Sequence, residues 1–399
     1  MTNFQGQYIG FGSGSTAAPD PEALGDTVSA STGRYFYSGV PHSRGLHGAG
    51  TTGTSEPYIS SPTQLGSDTD WQMTDFNNSM GHALRNSGQL WAWGYNHYGQ
   101  LGIGTSGASH QIKTSPVQVG SESDWIHCAN SKDTGFGIRS GGTLWSWGQG
   151  TGGTLGDGTT NNTSSPAQIG PSGGWTWVSA ATKSICAIQD GKLFTWGYNN
   201  YGQLGHGNTT DISSPVQIGS STGWTKCSSS GASMAGIDGG KIFVWGYAGN
   251  GQKGDGTTTN VSSPVQVGSA TNWTDITMWN GCVALNSAGE LWSWGYGGAG
   301  KLGHGNTTSL STPAQIGAET YWESISMNAN GLMARRTDGK LYVCGANYYA
   351  TFFGASGATS GTITSPTLMG GTEGGAVSTY ISMKCSAITG YEYAAHWIY

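Results

Sequence analysis

Residues able to act as acids, bases or metal ligands are sparse in this chain, with nine His, six Cys and 22 Asp plus Glu among 399 residues. The most suggestive set occupies one position of a recurring glycine turn, where Asp157, His206, Asp255 and His304 follow one another every 49 residues. Alternating imidazoles and carboxylates could form hydrogen-bonded acid–base pairs or ligate a divalent metal. Asp-Gly and His-Gly are equally ordinary turn dipeptides, and equivalent positions in neighbouring repeat units lie too far apart to share one ion. No metal site is therefore expected at these four residues.

Other catalytic signatures are missing from the sequence. It holds no G-x-S-x-G elbow, no H-E-x-x-H helix and no phosphate-binding loop. A Ser–His–Asp triad assembles in space and leaves no fixed spacing, so an enzyme here would need a site built by loop variation alone. The expectation is a non-enzymatic protein without a cofactor. Cys128, Cys186, Cys227, Cys282, Cys344 and Cys385 stand singly, with no C-x-x-C pair. They read as free thiols acting as small buried hydrophobes.

Composition narrows the partners. The net charge is −6 with 16 Lys plus Arg, which provides no basic footprint for a phosphate backbone. Apolar runs are far shorter than the ~20 residues of a spanning helix, and Met1-Thr2-Asn3-Phe4-Gln5 shows neither part of a secretory signal. Charged residues make up 10% of the chain while glycine occupies 70 positions. Such punctuation, together with 11% aromatics, points to a folded all-β protein rather than a disordered one.

The elements that would position any site come from an internal repeat. An aromatic strand ending in glycine recurs as Leu90-Trp91-Ala92-Trp93-Gly94, Leu144-Trp145-Ser146-Trp147-Gly148, Leu193-Phe194-Thr195-Trp196-Gly197, Ile242-Phe243-Val244-Trp245-Gly246 and Leu291-Trp292-Ser293-Trp294-Gly295. Degenerate copies begin at Tyr35 and Leu341. A Ser-Pro-x-Gln-x-Gly segment follows each glycine turn, and then a segment headed by Trp71, Trp125, Trp175, Trp224, Trp273 or Trp322. Four short apolar segments in roughly 50 residues describe one propeller blade. The fold class expected is an all-β, seven-bladed β-propeller over residues 35–399, preceded by an N-terminal arm over residues 1–34. Its first strand, near Tyr35 to Tyr37, is expected to pair with the last, Ala394 to Ile398.

The turn after the aromatic strand carries a family resemblance. Gly94-Tyr95-Asn96-His97-Tyr98-Gly99-Gln100-Leu101-Gly102-Ile103-Gly104 and Gly197-Tyr198-Asn199-Asn200-Tyr201-Gly202-Gln203-Leu204-Gly205-His206-Gly207 resemble the hallmark of the regulator of chromosome condensation repeat family. Looser copies run over residues 148–158, 246–256 and 295–305. The resemblance implies a seven-bladed propeller. Where many members of that family place a His, this chain has Met80, Thr134, Ser184, Ser233, Gly281 and Gly331. The founding member's basic arm also has no counterpart, because residues 1–33 contain no Lys, Arg or His. Exchange-factor activity is not expected to carry over.

Two sets of residues are candidates for partner contact. Tyr95, Tyr98, Tyr198 and Tyr201, joined by Tyr247 and Tyr296, sit in the turns, and tyrosine beside Asn and Gly suits protein or sugar contacts. Phe4, Tyr8, Ile9 and Phe11 are the apolar residues of the arm and would anchor it to another subunit or partner. The uncharged Gly/Ser/Thr/Asn-rich composition resembles that of bacteriophage tail and capsid-surface proteins. The functional expectation is accordingly a structural or adhesive virion component, bound through its arm to other virion proteins or copies of itself and to a host-surface protein or glycan. The alternative is an intracellular, cytoplasmic protein-binding regulator of the exchange-factor type, and an enzyme using the propeller channel comes third.

Overall fold

The structure is a computed structural model that describes residues 35–39, 59–64, 67–68, 70–76, 80–107, 112–327, 331–346, 361–368, 382–385 and 394–398. Six blades follow one another along the chain, each a four-stranded antiparallel meander. In the first, Trp71–Phe76, Met80–Arg85, Leu90–Tyr95 and Ile112–Gln118 lie side by side in chain order. The blades that follow begin at Trp125, Trp175, Trp224, Trp273 and Trp322. A further four-stranded sheet joins the ends of the series: Tyr35–Gly39 pairs on one side with Ile59–Gln64 and on the other with Ala394–Ile398, which pairs with Ser382–Cys385. Six blades with described side chains thus stand where seven were expected, and this sheet, described in its backbone, occupies the remaining place. The arm over residues 1–34, with Phe4, Tyr8, Ile9 and Phe11, lies outside the described residues.

Strand chemistry sets the order within a blade. The fourth strand, Ser-Pro-x-Gln in four blades, Thr312-Pro313-Ala314-Gln315 in the fifth and Ser365-Pro366-Thr367-Leu368 in the sixth, holds a proline that cannot donate to a ladder, which confines it to a sheet edge, and it is the outermost strand in all six blades. The Trp-headed strand is the innermost and touches its counterparts in the blades on either side, so these strands ring the propeller axis. Each carries a bulge directly after its Trp, as between Trp224 and Lys226. The extra residue re-aims the side chains that follow it.

The apolar cores lie between blades. One cluster joins Leu84, Leu90, Leu101 and Val119 of the first blade to Trp125, Cys128 and Trp147 of the second. Stacking recurs through the Trp that precedes the closing glycine of the aromatic strand, which is fully buried at positions 93, 147, 196, 245 and 294. The indole N–H donates to a carbonyl in the turn of the preceding blade: Trp147 to Gln100 at 3.0 Å, Trp196 to Thr154 at 3.0 Å, Trp245 to Gln203 at 2.7 Å and Trp294 to Gln252 at 2.7 Å. In the sixth blade Cys344 takes this place and faces the Lys301 carbonyl at 3.7 Å.

All five cysteines with described side chains are free and buried. Spacing alone placed the thiols apart, yet Cys186 of the third blade and Cys227 of the fourth meet across their interface, because they occupy non-equivalent strands. Burial pushes the Cys227 thiol well up, and the hydrogen bond with Cys186 adds to this.

The interface of the first and second blades holds a buried polar network. His82 occupies the position where the other blades have Phe136, Cys186, Ala235, Val283 and Met333. Its Nδ1 meets Asn130 Oδ1 of the second blade, and Asn130 in turn donates its backbone N–H to Asp75 Oδ2 at 2.7 Å and its Nδ2 to the Asp75 carbonyl at 2.8 Å. Complete burial lowers the His82 pKa to about 4, against the raising effect of the Asn130 hydrogen bond. The unfolded chain therefore takes up this proton first as pH falls, and stability should drop by roughly 3 kcal/mol between about pH 6.5 and pH 4. Urea titrations at both pH values check this. His82→Gln should show a much smaller drop, and equal drops would refute the assignment.

Candidate functional site

The turn after each aromatic strand is held by its own amide side chains. In the third blade Asn199 Oδ1 accepts the Leu204 N–H at 2.9 Å while its Nδ2 donates to the Thr210 carbonyl at 3.0 Å. Gln203 Oε1 accepts the Tyr201 N–H at 2.8 Å, and its Nε2 reaches the Gly231 carbonyl of the fourth blade at 3.1 Å. Asn96 and Gln100 repeat the pattern in the first blade. All four amides are buried, so the turns form a stiff platform. Tyr201 projects from this platform into solvent.

The expected contact tyrosines divide by environment. Tyr95 and Tyr98 are half-buried around His97, with ring centroids 6.0 and 4.6 Å from the imidazole. Tyr198 lies back over Gly152 of the second blade, and its hydroxyl meets Lys183 Nζ at 3.2 Å. Tyr201 projects, with 47% of its surface exposed, and its ring meets Tyr247 of the fourth blade edge-on at 5.4 Å. Tyr296 of the fifth blade is 38% exposed beside Lys301 Nζ, which lies 5.0 Å from its ring centroid. Tyr201 and Tyr247 thus form an aromatic pair across the third and fourth blades, and Tyr296 holds in the fifth blade the repeat position that Tyr247 holds in the fourth. Trp279, half-buried in an inner hairpin at the same end of the fifth blade, is a contact candidate that the turn motif does not reveal.

The alternating Asp and His residues serve their own turns. Asp157 Oδ1 accepts from Thr159 N–H at 2.8 Å and Thr159 Oγ1 at 2.9 Å, and Asp255 does the same with Thr257. His206 Nε2 lies 2.9 Å from Thr195 Oγ1, and His304 Nε2 lies 2.9 Å from Ser293 Oγ. Desolvation lowers the pKa of both histidines. Among the described residues no group of three or more His, Cys, Asp or Glu is arranged to hold a metal ion.

A second constellation, absent from the turn motif, lies on the axis. The inner strands place His127, Trp177, Lys226 and Asp275 two residues after their head tryptophans in four successive blades. His127 meets the Trp177 ring edge-on at 4.7 Å, Lys226 Nζ lies 4.0 Å from that ring's centroid, and Asp275 Oδ1 lies 3.9 Å from Nζ. Only the changing residue type at an otherwise regular repeat position could have signalled this row.

Comparison with known proteins agrees with the geometry of the turns. Residues 87–133, 141–188, 190–235 and 288–327 match the regulator of chromosome condensation (RCC1) repeat. The E3 ubiquitin-protein ligase HERC2 of Homo sapiens is 35% identical over 83 residues, and the matched stretch spans 21% of this chain and 2% of that protein. Prp20p from Saccharomyces cerevisiae, whose crystal structure was described with its binding to Gsp1p and histones, superposes with a TM-score of 0.75 at 16% identity, covering 93% of this chain and 92% of that one. Human WBSCR16 superposes with a TM-score of 0.74 at 18% identity over 92% and 98%. Likeness at this level of identity establishes the propeller fold.

Proposed function

We propose that this propeller with RCC1-like repeats is a non-enzymatic, protein-binding regulator that engages its partner through the turn tyrosines Tyr201, Tyr247 and Tyr296. The observation that carries the reading is Tyr201, 47% exposed on a turn whose Asn199 and Gln203 amides are buried and bonded. Tyrosines held this way lose little side-chain entropy on binding, and such residues supply interface anchors. The repeats that Prp20p and HERC2 share with this chain support a role in protein contact, and an intracellular location goes with it. Guanine-nucleotide exchange is not part of the proposal, because Met80, Thr134, Ser184, Ser233, Gly281 and Gly331 replace the histidines of the family pattern.

A photo-crosslinking residue at position 201 tests the reading in the native cell, with a second at position 121 on an exposed loop at the opposite end of the blades. A protein captured from position 201 alone, and bound at least ~10-fold more weakly by Tyr201→Ser in solution, is the expected result. Capture from both positions alike, or unchanged affinity, overturns it. One observation, the weakly charged Gly/Ser/Thr-rich composition, favours a second reading as a structural virion component. Mass spectrometry of intact particles would test that directly. The similarities to Prp20p and HERC2 weigh toward the first.

A further inference from the structure

Two clefts of nearly the same size open on successive blade interfaces, and they are built from the same repeat positions. The first, of about 370 Å³, lies between the first and second blades, where Ile103, Gln118, Glu122, Arg139, Trp145 and Pro166 line it. The second, of about 390 Å³, lies between the second and third blades and has Asp157, Gln168, Ser172, Gln189, Phe194 and Pro215 at those positions. Such volumes suit a small molecule. The shape repeats and the chemistry does not: the first cleft is lined by a guanidinium and a carboxylate, the second by Asp157 with no cation. Arg139 lies across two indoles of its blade, its Cζ 5.8 Å from the Trp125 ring centroid and 5.4 Å from that of Trp145. Its Nε donates to Asp124 Oδ1 at 2.7 Å, and its Nη groups make no hydrogen bond among the described residues. Glu122, on the facing connection from the first blade, accepts the Ser121 N–H through Oε2 at 3.0 Å and forms no ion pair with Arg139. Both side chains are half-buried, so two opposite charges stand apart in one cleft.

We infer that the cleft between the first and second blades binds a free α-amino acid with an apolar side chain, its carboxylate on the Arg139 Nη fork, its ammonium on Glu122 and its side chain against Trp145, Ile103 and Pro166. A carboxylate is the planar acceptor that a guanidinium fork matches, and Asp124, seated on Nε, leaves that fork open. A simple anion would meet Glu122 and Asp124 as like charges, and a simple cation would meet Arg139. A zwitterion answers both signs at once. The second cleft offers no such fork, because Gln189 stands in place of Arg139 and its Nε2 donates to the Gly173 carbonyl at 2.7 Å. One site per chain follows. It shares no residue with the turn tyrosines and stands independently of the partner reading above.

The probe is L-phenylalanine. Isothermal titration calorimetry of the full chain should show saturable binding at one site. L-Phenylalaninamide, which lacks the carboxylate, and N-acetyl-L-phenylalanine, which lacks the ammonium, should each bind at least ~10-fold more weakly. Arg139→Gln should weaken L-phenylalanine by a similar factor and abolish its advantage over the amide. Glu122→Gln should abolish the advantage over the N-acetyl compound, and Tyr201→Ser should change nothing. The comparison of analogues uses the wild-type chain, so it decides the matter even where Arg139→Gln fails to fold. No saturable binding up to about 10 mM, equal affinity for L-phenylalanine and its two analogues, or two equivalent sites per chain overturns the proposal.

Discussion

Trp245→Ala is expected to destabilise the protein by about 4–6 kcal/mol, close to what unfolds many domains outright. Trp245 is 1% exposed and packs with Leu204 and Ile218 of the preceding blade and Met234 of its own. Its ring also meets Trp224 at 6.3 Å. Truncation opens a cavity at the blade interface, a loss of about 3–5 kcal/mol by itself. The Gln203 carbonyl, which accepts the indole N–H at 2.7 Å, is left without that donor. Trp245→Phe separates the two effects, since it keeps most of the ring and removes the N–H, and should cost about 1–2 kcal/mol. Guanidinium denaturation measures both. A cost below about 1.5 kcal/mol for the alanine variant would show that this interface is not what holds the blades together.

The second large effect concerns the glycine that faces this tryptophan. Gly205 has φ +79°, and a Cβ built there would stand 2.9 Å from Ile218 Cδ1 and 2.9 Å from Trp245 Nε1. Gly205→Ala therefore adds strain of about 1–2 kcal/mol in the left-handed region to overpacking of about 1–3 kcal/mol. Gly219 provides the control, because its φ is +58° and nothing lies within 4 Å of a Cβ there. Gly219→Ala should cost about 1–2 kcal/mol, from the backbone alone. Equal costs for the two variants would mean that the tryptophan moves aside freely, contrary to the close packing of the interface.

These two predictions separate what is legible in the chain from what is not. The W-G strand, the glycine turn and the Ser-Pro-x-Gln strand are all written in the repeat, since each records a burial pattern or a backbone requirement inside one unit. The partner of Trp245 is not written there: Gln203 is 42 residues earlier, and only the stagger of one blade on the next brings its carbonyl to the indole. The same holds within the candidate site. Tyr198 and Tyr201 belong to one turn and have one chemistry, yet the first folds back over Gly152 of the neighbouring blade while the second projects.

From the sequence alone the chain is determined to be all-β, built from propeller blades with a turn-borne tyrosine series, and poor in the charges and motifs that nucleic-acid binding or common catalytic chemistries require. Periodicity suffices for this because hydrophobic burial and positive-φ glycines act locally, within four short strands. Tertiary structure alone decided which strand faces the axis. It thereby assembled His127, Trp177, Lys226 and Asp275 from positions 49 or 50 residues apart, and it set His82 against Asn130 and Cys186 against Cys227. Those contacts arise between units. Their distances depend on how blades tilt and stagger around the ring, which side-chain patterns inside a single unit do not encode.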